Sequence, residues 1–195
     1  MSTLIDPFEA GVLPVELTAA AKRKVGNQNE LMLLSLLLAN LAAIPSHGYA
    51  SVAVTPVLDT SAYATGDTLF DRTAIPGAVR VAGASSILRS LSLLDKDDQT
   101  AAQIDLFFLS ANVAFGTLNA APSISDANAA KILGKVSVLS TDFIDVTGSK
   151  IASLSGLNII VTPDTGTSIY VAAITRGSPT QTASGILLNF GFEQE

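Results

Sequence analysis

The chain contains no cysteine, no tryptophan, a single histidine and only 14% charged residues. Without cysteine there is no disulfide, no thiolate nucleophile and no cysteine-ligated iron–sulfur or zinc centre, and one histidine cannot replace those ligands. No cofactor is therefore expected. Eleven Lys and Arg stand against 17 Asp and Glu, for a formal net charge of −6. Sequence-independent nucleic-acid binders need clustered cations to displace counterions, so no nucleic-acid partner is expected either. With three Tyr and no Trp, the sequence argues against a sugar-stacking platform. The charged fraction falls well below the ~25% of an average soluble domain.

What is present instead is apolar. Of 195 residues, 48% are hydrophobic, which excludes intrinsic disorder. The length suits one domain of ~150 residues plus an extension. The division is placed at Pro45: residues 1–45 form an extension with a helix, and residues 46–195 form a β domain.

Within the extension, Pro7, Gly11 and Pro14 break regular structure, and Glu16 to Val25 can form a short helix ended by Gly26-Asn27. Asn29 to Ile44 reads as a stronger helix. Asn29 caps it, Glu30 favours its first turn and Pro45 stops it. Its interior polar residues, Ser35 and Asn40, are five apart, which leaves no broad polar face. Such a helix must be covered nearly all round. Leu31, Leu33, Leu34, Leu37, Leu38, Leu41 and Ile44 are the candidate interface residues. Leu31 to Ile44 is 14 residues, short of the ~20 of a membrane span, so no membrane partner is expected. A signal-peptide parse would use Lys22, Arg23 and Lys24 with a small-residue site at Gly48-Tyr49-Ala50, but its basic region would follow 21 residues. The expected role is an anchor or oligomerisation element.

From Tyr49 onward the pattern is that of short strands between turn residues: YASVAVTPVL, TLFDRTAI, GAVRVAG, SSILRSLSLL, AAQIDLFFLS, GKVSVLS, LNIIVTP, TSIYVAAIT and GILLNFGF. Ile104, Leu106 and Phe108 share one face of their strand, and Ile186, Leu188, Phe190 and Phe192 share one face of theirs. One helix is expected at Asp126 to Leu133, capped by Ser125, with Lys131 in its last turn and Gly134 at its stop. The fold class expected is mostly β: a jelly-roll or β-sandwich domain with an N-terminal helical extension.

Three constellations invite a chemical reading. Asp164-Thr165-Gly166-Thr167-Ser168 has the form of an aspartic-protease turn, in which two such carboxylates share a proton. Only one copy is present, and a hairpin turn explains it; an aspartic-type hydrolase is the remote alternative. Asp95, Asp97 and Asp98 could ligate a cation, but the EF-hand glycine and distant Glu are missing and Lys96 stands among them. A solvated loop tip is expected there. Ser46 and His47 have no G-x-S-x-G elbow or third partner. No catalytic residue, and no enzyme, is expected.

The segment SSILRSLSLLDKDDQTAAQIDLFFLSAN followed by ISDANAAKILGKVSV resembles small structural proteins of tailed bacteriophages, in the group that decorates or cements the head. The pieces that carry it are Leu94-Asp95-Lys96-Asp97-Asp98, the Ile104 to Leu109 strand and the Asp126 to Lys131 helix, within Gly77 to Phe192. The resemblance implies a β-barrel or jelly-roll fold in trimers, the major capsid protein as partner, and a place on the capsid surface. A tail or fibre-base receptor-binding β protein is the nearest alternative.

Overall fold

Strict alternation of apolar residues makes each strand offer one face to a shared core. The computed structural model, which describes residues 35–38 and 48–194, has nine strands. They are β1 (Gly48–Val54), β2 (Thr68–Ile75), β3 (Ser86–Asp95), β4 (Ile104–Leu109), β5 (Ile132–Val138), β6 (Phe143–Asp145), β7 (Lys150–Val161), β8 (Ile169–Thr175) and β9 (Ile186–Gln194). Of these, β1, β3 and β9 alternate most plainly. The chain divides into two units, Met1–Ser46 and His47–Glu195. Of the first, Ser35–Leu38 is described and is helical, with Leu37 exposed and Leu38 half-buried. Leu31, Leu33, Leu34, Leu41 and Ile44, the expected 16–25 helix, Ser46 and His47 lie outside the described residues. Among the described residues, no helix is long and apolar enough to cross a membrane.

The second unit is mostly β, built of two antiparallel sheets. One runs β1-β9-β3-β7-β6 and the other β2-β8-β4-β5. The pairings nest: β1 with β9, β2 with β8, β3 with β7, β4 with β5. The first four strands thus run against the later ones like a single long hairpin. Folding that hairpin over adds the lateral pairings β3 with β9 and β4 with β8. The short strand β6 extends the first sheet beyond β7.

The core lies between the sheets. Leu88, Leu91, Leu93, Phe190 and Phe192 from the first sheet meet Leu106, Phe108, Val136, Val171 and Ala173 from the second. Phe108 and Phe190 touch edge to face across it, with centroids 5.8 Å apart. Burying each such side chain contributes roughly 1.5–3 kcal/mol. The face groupings read from the Ile104 and Ile186 strands hold, since all seven of those residues are buried.

Several local expectations need correction. The helix at Asp126 is one turn, α1 (Asp126–Ala129), with the Ser125 hydroxyl accepting from the Asn128 amide at 3.3 Å. From Ile132 the chain is strand β5, so Leu133 is not helical and Gly134 is no helix stop. Pairing with β4 overrides helix propensity there. GAVRVAG is not a strand: Gly77 and Gly83 take left-handed φ of 64° and 83°, and residues 76–83 form turns and bends. Strand β7 begins at Lys150, well before the expected LNIIVTP, and Pro56 stays outside β1.

The outer face of the second sheet is closed by its own chain. Residues 110–125 carry Val113, Phe115 and Ile124 over Phe107, Leu109, Tyr170, Ala172 and Ile174. Phe107 and Phe115 stack at 4.9 Å, and the Phe115 amide donates to Asp71 at 2.9 Å. Beside this patch Asp105, 1% exposed, accepts from Ser137 Oγ at 2.6 Å, Arg176 Nε at 2.8 Å and Gln103 Nε2 at 2.9 Å, with Lys135 Nζ at 3.4 Å. Burial alone would raise its pKa. The hydrogen bonds from Ser137, Gln103 and Arg176 and the Lys135 charge outweigh it and bring the carboxyl down to about 2.

Because the folded carboxyl titrates below its unfolded value, its contribution is complete above about pH 4 and is lost as pH falls towards 2. Urea unfolding of wild type against Asp105→Asn over pH 2–7 should show that component, about 2 kcal/mol, in wild type and not in the variant. Equal pH slopes for the two proteins would contradict the assignment.

Candidate interaction surface

The outer face of the first sheet is built differently. Strand register lines up four rows across it. One end row is Tyr49, Glu193, Ile87 and Ile160. Next come Ser51, Gly191, Ser90 and Ser155, then Ala53, Asn189, Ser92 and Ser153. The last row is Leu187, Leu94, Ile151 and Ile144. The two middle rows hold only small or neutral residues. They form a trough of about 600 Å³ running across the strands.

Local rules explain the trough's depth. At Gly191 a Cβ would lie 2.3 Å from Ser90 Oγ, so a side chain there would force the Ser90 hydroxyl to turn away. The β3–β7 and β3–β9 pairings both shift register between Leu88 and Ser90. Such a bulge bends the strand and increases its twist. It turns Arg89 onto Glu193, Nε to Oε2 at 2.6 Å, and onto Asn158 Oδ1. That ion pair is spent along one rim, leaving the floor uncharged. That rim also carries Tyr49, 82% exposed, and Ile160, 65%, and the opposite row is apolar, with Ile144 66% exposed. Isolated exposed apolar residues are ordinary, whereas apolar rows bordering a neutral trough mark a contact surface.

The candidates singled out from sequence fall elsewhere. Asp164 lies in the turn between β7 and β8, with its amide bonded to Ser110 O and its carboxylate 2.5 Å from Lys131 Nζ. Lys131 and Ser110 hold that carboxyl below its usual range, the opposite of the raised pKa of a proton-sharing dyad. The Asp95–Asp98 loop is not a free tip. Asp95 is buried and accepts from the amides of Asp97 and Gln99 at 3.0 and 3.1 Å. Burial pushes its pKa up against those hydrogen bonds. Asp97 accepts from the Thr182 amide at 2.7 Å, and Asp98 pairs with Lys150. A Cβ on Gly185 would lie 1.9 Å from Asp97 Oδ2, so a side chain there would push the Asp97 carboxylate off Thr182. Among the described residues no group of three or more His, Cys, Asp or Glu is placed to hold a metal. The loop joins two strand ends instead of presenting ligands.

Reading the sequence for chemistry passes over the trough, because serines carry no motif. Its signal is period two: Ser90 and Ser92, then Ser153 and Ser155, each pair on one face of a strand whose other face is Leu or Ala.

No known protein family matches the chain, and no curated protein matches it. Among solved structures, the crystal structure of the infectious bursal disease virus VP2 subviral particle is similar at 11% identity and a TM-score of 0.18. The likeness covers 74% of this chain and 41% of that one. At that level it carries no argument about fold or function.

The two acidic turns predict different mutational costs. Asp95→Ala removes a buried carboxylate and leaves the half-buried amides of Asp97 and Gln99 without their acceptor, and should cost about 1 kcal/mol or more in urea unfolding. Asp164→Ala removes an exposed ion pair and should leave the midpoint unchanged. The reverse ranking would contradict the burial described here.

Proposed function

We propose that the chain is a virion structural protein of a tailed bacteriophage, a head decoration protein that binds between capsomers and cements the shell. The observation that carries this reading is the asymmetry of the two sheets. One outer face is covered by the chain's own loop, and the other is a trough whose floor is neutral, bordered by exposed Tyr49, Ile144 and Ile160 and by the Arg89–Glu193 pair on one rim. A charge-depleted surface is the composition of the centre of an obligate contact. The resemblance of Gly77 to Phe192 to phage head-decorating proteins points the same way.

The β domain is read as a jelly roll. Its support is the nested hairpin of pairings, rolled so that β9 lies between β1 and β3 and β8 lies between β2 and β4. Jelly rolls recur in viral shells. The assembly proposed is a homotrimer seated on the major capsid protein, with the 1–45 segment as anchor. Its mechanism is passive. A contact of ~800 Å² per partner at ~25 cal/mol per Å² gives a gross term near 20 kcal/mol, most of it offset by association costs. Repeated around a symmetry axis, the surplus raises the barrier to opening the shell.

Copy number per particle, measured by quantitative mass spectrometry, tests this. Hundreds of copies are expected; a dozen or fewer would move the protein to the tail and overturn the head assignment. Ser153→Arg places a long cation on the trough floor at an exposed position. It should leave the unfolding free energy within ~0.5 kcal/mol and cut particle occupancy at least tenfold. Wild-type occupancy of that variant would remove the trough from the contact.

A further inference from the structure

Two sheets have four edges, and each edge strand exposes a row of unpaired backbone groups that can capture another strand. Three of the four edges here carry protection. Strand β2 pairs with β8 through two register shifts and bears the Asp71–Arg72 ion pair. Strand β5 has a register shift opposite Phe108 and Leu109 and an exposed Lys135. Strand β6 is three residues long and ends on Asp145. Short length, bulges and edge charge are the usual protective devices. Strand β1 has none of them. It is seven residues, Gly-Tyr-Ala-Ser-Val-Ala-Val, with no charge and no proline. It pairs with β9 in unbroken register, and among the described residues it has a strand neighbour on that side only.

We propose that the free edge of β1 pairs antiparallel with β1 of a second copy of this chain, about a two-fold axis through Ser51. The strand is complementary to itself in that register. Tyr49 falls opposite Ala53, Ala50 opposite Val52, and Ser51 opposite its own copy. Every pair has matching parity, so the outward residues Tyr49, Ser51 and Ala53 stay outward and the pleat continues across the junction. Large meets small at Tyr49 and Ala53. No like charges meet, which would otherwise oppose a homotypic antiparallel pair. Five residues suffice, and the Gly48 end, beside which the Arg80 side chain lies, stays outside the pairing. The result is one continuous ten-stranded sheet. The Ser51 row then runs into its own copy across the axis and the Ala53 row into the copy's Tyr49 row, so the two outer faces continue as one surface. This pairing does not rest on the decoration reading, since a strand edge and a sheet face are separate surfaces.

The absence of cysteine from the chain makes a single introduced thiol an unambiguous reporter. In either kind of antiparallel pair the Cα atoms lie about 4.5–5.5 Å apart, within disulfide reach. Full-length Ser51→Cys should cross-link to its own copy under mild oxidation, whereas Ser153→Cys, three strands away in the same sheet, should not. Ser51→Lys and Ser51→Glu each place like charges on the axis at an exposed position. By light scattering at micromolar concentration, each should show a lower mass than wild type, since the junction that joins two copies is lost, while the circular dichroism spectrum stays that of the folded β domain. Mixing the two should restore the wild-type mass. A wild-type mass that neither substitution changes, or equal cross-linking of the two cysteine variants, would overturn the pairing. So would a variant that keeps its own mass but loses occupancy on particles, which would assign the edge to a strand of another protein. Copy number per particle is independent of all these readouts, so failure here and failure of the decoration reading are distinguishable.

Discussion

A β-sheet has two faces, and two packed sheets have only one core between them. That constraint governs this molecule. The inner faces are satisfied by Leu, Ile, Val and Phe meeting across the gap, as at Phe108 and Phe190. Each sheet must then deal with its outer face separately, and the chain uses opposite solutions. Over the second sheet it spends residues 110–125 as a cover and buries a second apolar cluster beneath them. At the margin of this sheet Asp105 is buried, with Ser137, Gln103, Arg176 and Lys135 converging on it. Over the first sheet no segment among the described residues lies in the trough. Its middle is kept shallow in volume and free of charge by serine, glycine, alanine and asparagine.

The same contrast extends to the edges. Strands that border the covered sheet carry bulges and charges, while β1, which borders the open face, is plain and uncharged. A chain selected only to stay apart from its copies would be expected to place a lysine or a bulge on β1 as well. Open face and open edge therefore belong together, since both leave a neutral surface on the same side of the molecule.

How much of this could be read beforehand depended on whether a residue's role is local. Alternation in Ile104–Phe108 and Ile186–Phe192 is a property of the strand itself, so those faces were legible. The Ser125 cap was legible for the same reason, because a hydroxyl three residues before an amide is a local geometry. What failed depended on partners distant in sequence. Ile132 to Val138 is strand because β4 is there to pair with it, and GAVRVAG is not strand because its glycines take left-handed turns. Asp95 looked like part of a solvated tip because its burial comes from the 179–185 loop, more than 80 residues on. Leu31–Ile44 stands out in the sequence as its most apolar run, whereas the trough is assembled from four strands whose serines are unremarkable one at a time.

The shortage of charge takes on a more specific meaning in this light. The cations of the β domain are largely committed to partners within it. Arg72 pairs with Asp71, Arg89 with Glu193, Lys131 with Asp164, Lys150 with Asp98, and Lys135 and Arg176 both with Asp105. Lys96 donates to the Ser184 carbonyl. With its cations largely paired at home, the domain has few positive charges left to steer an encounter, so long-range attraction to an acidic partner contributes little to recognition. What the open sheet offers is backbone hydrogen bonding at β1 and close approach at the trough, where Gly191 and the serines let another surface come near. Both act at contact distance and are only weakly screened by salt. Such a surface suits a partner held at high local concentration, as subunits of one shell are. It suits poorly a partner that has to be found by diffusion in dilute solution.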